Sequence, residues 1–169
     1  MRGQKPTVEI IYSDNYDFEK WGPLVPATEG AAGFDVRACA CTDVIVAPGS
    51  TVKIDLGIKL HINDPHLAAM LIPRSGLGVK GLVLGNTIGL IDSDYQGPVV
   101  AAVFNRLQKE DHMFYDSWYK NENNIVIHPG DRIAQLIFLP VIIPTLFKVN
   151  HFEETRRGEG GFGHTGVGD

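Results

Sequence analysis

Cysteine is scarce in this 169-residue chain: Cys39 and Cys41 are the two it has. Two positions apart on a strand, they would share a face, a poor geometry for a mutual disulfide. No cluster of His and Cys surrounds them to complete a metal site. They read as reduced thiols of a cytosolic protein. Long hydrophobic runs are also missing. The longest, LIFLPVIIPTLF, is cut by Pro140 and Pro144 and falls short of a bilayer span. The stretch MRGQKPTVEI lacks the apolar core of a signal peptide. A cytoplasmic location without a membrane partner is therefore expected. Positive charge is in deficit, with 15 Lys and Arg against 20 Asp and Glu and a net charge of −5. That argues against a general nucleic-acid binder, although a local basic pocket for a small anion is compatible with it. Finally, no segment carries a long amphipathic helical period, and no internal repeat or domain boundary is visible.

What is present is β-strand pattern almost throughout. Hydrophobic content of 44% and charged content of 21% suit one globular domain with a sizeable core. TVEIIY (Thr7–Tyr12) reads as a first strand. TVKIDLGIKLHI alternates, placing Val52, Ile54, Leu56, Ile58, Leu60 and Ile62 on one face. LAAMLIP, LVLGNTIGLI, PVVAAVF, NIVIH and RIAQLIFLPVII follow, punctuated by APGS, NDPH and HPGD. Short strands separated by turn signals predict an all-β fold, a sandwich or distorted jelly-roll-like barrel, rather than alternating βαβ units. Two regions depart from the pattern. Residues 107–124 are polar, charged and aromatic, and residues 156–169 are too glycine-rich to hold a strand or helix unaided.

Several short segments carry possible chemistry. GLGVKG and GEGGFG match GxGxxG, but neither lies between a strand and a helix as dinucleotide binding requires, and no P-loop motif occurs. PRSGLGVK offers Arg74 as a fork for phosphate oxygens, the Ser75 hydroxyl, and the amides of Ser75 and Gly76 if a helical turn starts there. A surface turn with an incidental arginine fits equally well. AAGFDVRA puts Asp35 in mid-strand, where it needs a cation or donors. It serves either a structural salt bridge with an arginine or the water shell of Mg2+. In GDRIAQLIF, Gln135 alternates with Ile133 and Ile137 and must find partners if buried. GLIDSDYQG sets Asp92, Asp94 and Tyr95 at the end of an apolar run, an expensive place for acids without a task or a partner. In the tail, Arg157 and the His164 and Thr165 donors flank Phe162 among glycines. A solvated tail is the plain reading, and a segment that folds over an anion is the other.

Five of these segments, in this order, resemble the five motifs of the trimeric dUTPase family, closest to its bacterial and phage forms. They are AAGFDVRA, PRSGLGVK, GNTIGLIDSDYQG, GDRIAQLIF and RGEGGFGHTG. The resemblance covers nearly the whole chain. It implies a dUTP diphosphatase that converts dUTP to dUMP and pyrophosphate, limiting uracil entry into DNA and supplying dUMP for thymidylate synthesis. It also implies a jelly-roll-like subunit at residues 1–155 and a homotrimer. Residues 156–169 would be a flexible lid reaching a neighbouring subunit.

By the same resemblance, Asp92 orients the attacking water, and orientation is the main requirement for in-line attack. Asp94 matches a structural position. Tyr95 matches the ring under the deoxyribose that leaves no room for a 2′-hydroxyl. Uracil recognition is implied for Asn86 and for a tight hairpin including Gly89, Leu90, Ile91 and Val100, whose hydrogen bonds reject cytosine and whose tightness rejects the thymine methyl. Arg74, Ser75 and Gly76 match phosphate-binding positions, and Gln135 an amide on the α-phosphate side. Arg157, Gly163, His164 and Thr165 match tail groups closing on the phosphates, and Phe162 the ring stacking on uracil. Asp35 matches an acid that reaches Mg2+ through water, the metal resting mainly on the triphosphate.

The resemblance is imperfect at two places. Val79 and Lys80 stand where bacterial members often have a slightly longer, His-containing stretch. Residues 107–124 are longer than usual and carry Met113, Phe114, Tyr115, Trp118 and Tyr119. The insert reads as an extension packed on its own trimer or as a surface for a protein partner. Two rival functions remain: a dCTP deaminase of the same fold, and a nucleotide-sensing regulator acting through the insert.

Overall fold

A computed structural model describes residues 5–108 and 123–161, which hold ten strands and two short helices. One antiparallel sheet has the order β1 (Glu9–Tyr12), β4 (Thr51–His61), β8 (Pro98–Asn105), β6 (Leu82–Leu84). The second has the order β2 (Phe34–Arg37), β10 (Arg132–Pro140), β5 (Leu67–Pro73), β7 (Gly89–Ile91). A two-stranded ribbon joins β3 (Val44–Val46) to β9 (Ile125–Ile127). The helices are α1 (Phe18–Trp21) and α2 (Ser75–Val79). The all-β expectation holds: the fold is mostly strand, and among the described residues no helix is long and apolar enough to cross a membrane.

One core lies between the two sheets. From the first come Ile54, Leu56, Ile58 and Leu60 of β4 with Val99, Ala101 and Val103 of β8. From the second come Val36, Ala69, Leu71, Ala134 and Leu136. Each fully buried aliphatic side chain contributes roughly 2 kcal/mol. A one-residue slip of β4 would turn that row to solvent, so the register is strongly determined. The β4 row runs across a bulge, because the pairing with β8 shifts between Asp55 and Lys59. Gly57 sits there at φ +69, and a Cβ would lie 2.7 Å from the Cys39 sulfur. Only glycine meets both conditions.

Three sequence expectations change. LVLGNTIGLI is two strands in different sheets, β6 and β7, parted at Thr87, whose φ is +64. RIAQLIFLPVII stops being a strand at Pro140, which cannot donate to a ladder. Gln135 does not share the core face, because a register shift between Arg132 and Ala134 breaks the alternation. The core takes Ile133, Ala134 and Leu136, leaving Gln135 half-buried on the other face.

Candidate active site

The second sheet gathers the predicted phosphate-binding residues through its pairing. Strand β10 runs between β2 and β5, with Gln135 directly opposite Asp35 on one side and Ile72 on the other. Strand β5 ends at Pro73, so Arg74 leaves the sheet beside this pair and caps α2, the short helical turn anticipated at Ser75. Cross-strand neighbours of this kind stand within side-chain reach. The Arg74 guanidinium forks onto Asp35, with Nε 3.0 Å from Oδ1 and Nη2 3.2 Å from Oδ2. Arg132 Nη1 donates to the same Oδ2 at 3.1 Å, and Gln135 Nε2 to Oδ1 at 3.2 Å.

A cavity of about 430 Å3 opens beside this cluster, lined by Arg74, Ser75, Gly76, Leu77, Lys80 and Gln135. A Cβ on Gly76 would meet nothing within 4 Å, so open space adjoins the first amides of α2. A guanidinium, an ammonium, a hydroxyl, an amide and free backbone N–H groups suit an anion with several oxygens. Lys80 and Arg132 join this region although no role was anticipated for them. The basic residue in the GDR triplet was the available signal for Arg132, but its partner lies on a distant strand.

The predicted base and sugar residues run from the turn before β7 to β8. Asn86 lies in the turn before β7, its Nδ2 3.7 Å from the position a Gly89 Cβ would take. Leu90 is exposed, whereas the Ile91 side chain is buried, so only its backbone is available to a ligand. Asp92 is exposed at the end of β7. Tyr95 donates its hydroxyl to the Pro98 carbonyl at 2.9 Å, and its backbone N–H donates to the Asp92 carbonyl at 3.2 Å. Val100 is exposed on β8 opposite Asp55. The expected hairpin is a corner instead: β7 pairs with β5, while β8 pairs with β4 and β6.

None of the predicted base and sugar residues lines the Arg74 cavity. Ile91 pairs with Ala69 and Gly89 with Leu71, so β7 runs back along β5. Asp92 therefore continues toward the start of β5, whereas Arg74 follows its end. The six strand positions between those levels correspond to about 20 Å. Arg157 is a third, separate element: it donates to the Gly160 carbonyl at 2.9 Å within its own turn. Phe162, Gly163, His164, Thr165 and residues 109–122 of the insert lie outside the described residues.

The clear pKa shifts lie away from these groups. Burial raises the Cys39 thiol and the Tyr16 hydroxyl, and a hydrogen bond that His128 donates to the Asp43 carboxylate raises His128.

Comparison with known proteins gives a consistent result. The dUTPase family model matches residues 19–112 and 117–166. The deoxyuridine 5′-triphosphate nucleotidohydrolase of Actinobacillus pleuropneumoniae is 51% identical over 83% of this chain and 84% of its own. That of an Escherichia coli strain is 50% identical over the same shares. Among solved structures, the dUTPase of Staphylococcus bacteriophage 80alpha with dUpNHpp superimposes with a TM-score of 0.80 at 26% identity, covering 96% of this chain and all of that one. The dUTPase of phage phi11 of S. aureus, a likeness of fold at 22% identity and TM-score 0.72, coordinates a structural Mg(II) ion. With a family model spanning most of its length and relatives half identical to it, this chain belongs to the dUTPase family.

Proposed function

We propose that the chain is a dUTP diphosphatase whose active sites are completed between copies of the chain in a homotrimer. The observation that carries the reading is the cavity formed by Arg74, Ser75, Gly76 and Gln135 in a chain half identical to bacterial dUTP nucleotidohydrolases. Those groups hold the phosphates. Asn86 and the backbone of Gly89, Leu90 and Ile91, with Val100, hold uracil. Tyr95 fills the space a 2′-hydroxyl would need. Asp92 orients a water for in-line attack on the α-phosphorus and accepts its proton, the water–phosphorus bond forming as the bond to pyrophosphate breaks. Arg157, Phe162, Gly163, His164 and Thr165 close over the nucleotide.

Two features support sharing between copies. Asp92 and Arg74 lie level with opposite ends of β5, about six strand positions apart, so the sheet register separates them within one chain. Beyond the last sheet anchor, where Val141 N–H donates to the His66 carbonyl, the chain displays Ile142, Ile143, Leu146, Phe147 and Phe152 to solvent. Phe147 is 87% exposed, and such a run of large apolar residues suits burial on another copy.

Among the described residues no group of three or more His, Cys, Asp or Glu could cage a cation. Asp35 accepts from Arg74 twice, Arg132 and Gln135. Those four contacts fill the roughly four acceptor positions of a carboxylate. A water-mediated reach to Mg2+ would need one donor to leave. The described residues thus do not build a magnesium site, and Mg2+ is proposed to arrive on the triphosphate as part of the substrate.

Pyrophosphate release from dUTP, dTTP, dCTP and UTP tests the reading. The expected result is release from dUTP alone, reduced about 10²–10⁴-fold in Asp92→Asn with dUTP still bound. Uracil nucleotide formed from dCTP would favour the deaminase, and dUTP binding without turnover would favour the regulator.

A further inference from the structure

We propose that Asp35 is a positioning residue: it holds Arg74 in a fixed orientation toward the phosphate cavity before substrate arrives, with Arg132 and Gln135 as its other anchors. The proposal rests on the reading of that cavity as the phosphate site.

The geometry is specific. The Asp35 side chain is 14% exposed and receives both parallel contacts of the Arg74 fork. A long arginine free in solvent would lose considerable side-chain entropy on seizing a phosphate. The fork incurs that loss during folding instead. A third contact fixes the far end, since Arg74 Nη1 donates to the Arg132 carbonyl at 3.2 Å. Three Arg74 N–H groups are thus engaged, leaving roughly two for a ligand. The charge count points the same way. One carboxylate faces two guanidiniums, Arg74 and Arg132. Positive charge therefore remains beside a cavity that also carries Lys80. Asp35 aligns this charge without cancelling it, which is how a preorganised anion site works.

The alternative role, holding the water shell of Mg2+, makes a different prediction, because positioning of Arg74 is needed whether or not metal is present. The deciding experiment measures binding of the imido analogue dUpNHpp to the intact protein, in EDTA and in Mg2+, for the wild type, Asp35→Asn, Arg74→Ala and the double variant. The proposal predicts that Asp35→Asn weakens binding about tenfold or more in EDTA, and by a similar factor in Mg2+. In the Arg74→Ala background the same change should add less than about twofold, since Asp35 acts through Arg74. Unchanged binding in EDTA with a raised Mg2+ requirement for turnover would overturn the proposal, as would penalties that simply multiply in the double variant. Absence of dUpNHpp binding by the wild type would instead overturn the phosphate reading of the cavity, and this proposal with it. A measurement needing no variant stands beside these. The Arg74 Nε–H resonance of the ligand-free protein should exchange slowly and be unmoved by Mg2+ alone. A rapidly exchanging signal like that of a surface arginine would contradict the preset fork.

Discussion

At the residue scale, the acids and bases of the motifs were easy to find and their partners were not. Asp35 reads equally well as a salt-bridge former or as a magnesium-shell acid from AAGFDVRA alone. The choice depends on Arg74 and Arg132, which reach it only through the pairing of distant strands. Tyr95 is a similar case. Its ring crosses Gly97 so closely that a Cβ there would lie 2.6 Å from the ring's Cζ. Gly97→Ala should displace the ring while leaving its chemistry intact. The expected outcome is a fall in the ratio of kcat/KM for dUTP over UTP, with dUTP still preferred over dTTP. An unchanged ratio would separate Tyr95 from sugar selection. His128 gives a pH-dependent prediction. Its Nδ1 lies 2.8 Å from Asp43 Oδ1, and that hydrogen bond raises its pKa above 6.5. The stabilisation is therefore fully present below about pH 6.5 and lost as pH rises through the raised value. An NMR titration should show the His128 midpoint falling in Asp43→Asn, and an unmoved midpoint would remove Asp43 as the cause.

At the element scale, alternation made β4 legible, since burying Ile54, Leu56, Ile58, Leu60 and Ile62 on one side is the only low-energy use of that pattern. Bulges and turns were less legible, because one left-handed residue or one extra residue reverses the faces without changing composition. Thr87 divides one expected strand in this way, and the irregularity at Ile133 turns Gln135 away from the core. Nothing in its local sequence marks Asn105, yet it is the one fully buried polar residue among those described. Its Nδ2 donates to the carbonyls of Val46 at 2.9 Å and Asn123 at 2.8 Å, and its Oδ1 accepts from Leu107 N–H at 3.1 Å. It thereby ties β8 to β3 and to both flanks of the 107–124 insert. Asn105→Ala would strand these groups and should cost about 2–4 kcal/mol. The denaturation midpoint at fixed protein concentration measures it, and a loss below about 1 kcal/mol would mean that water replaces the amide.

At the scale of the whole molecule, the motif order identified the family, but one sequence does not say which motifs meet on one chain. The β5–β7 register answers part of that question by sending Asp92 and Arg74 to opposite ends of the same strand. The apolar run after β10, with Leu146 91% exposed, marks a surface that one chain leaves uncovered. Both features lead to one central claim, that Asp92 of one copy acts on a nucleotide held by Arg74 of another. Subunit mixing tests it most directly. Asp92→Asn and Arg74→Ala, each nearly inactive alone, are co-expressed with different tags, and doubly tagged oligomers are isolated and assayed with dUTP. If the two residues come from neighbouring copies of a trimer, every doubly tagged trimer carries about one wild-type site in three. Pyrophosphate release should then recover to a comparable fraction of the wild-type rate. Mixed oligomers no more active than their parents would show that both residues must lie on the same chain, contradicting the account.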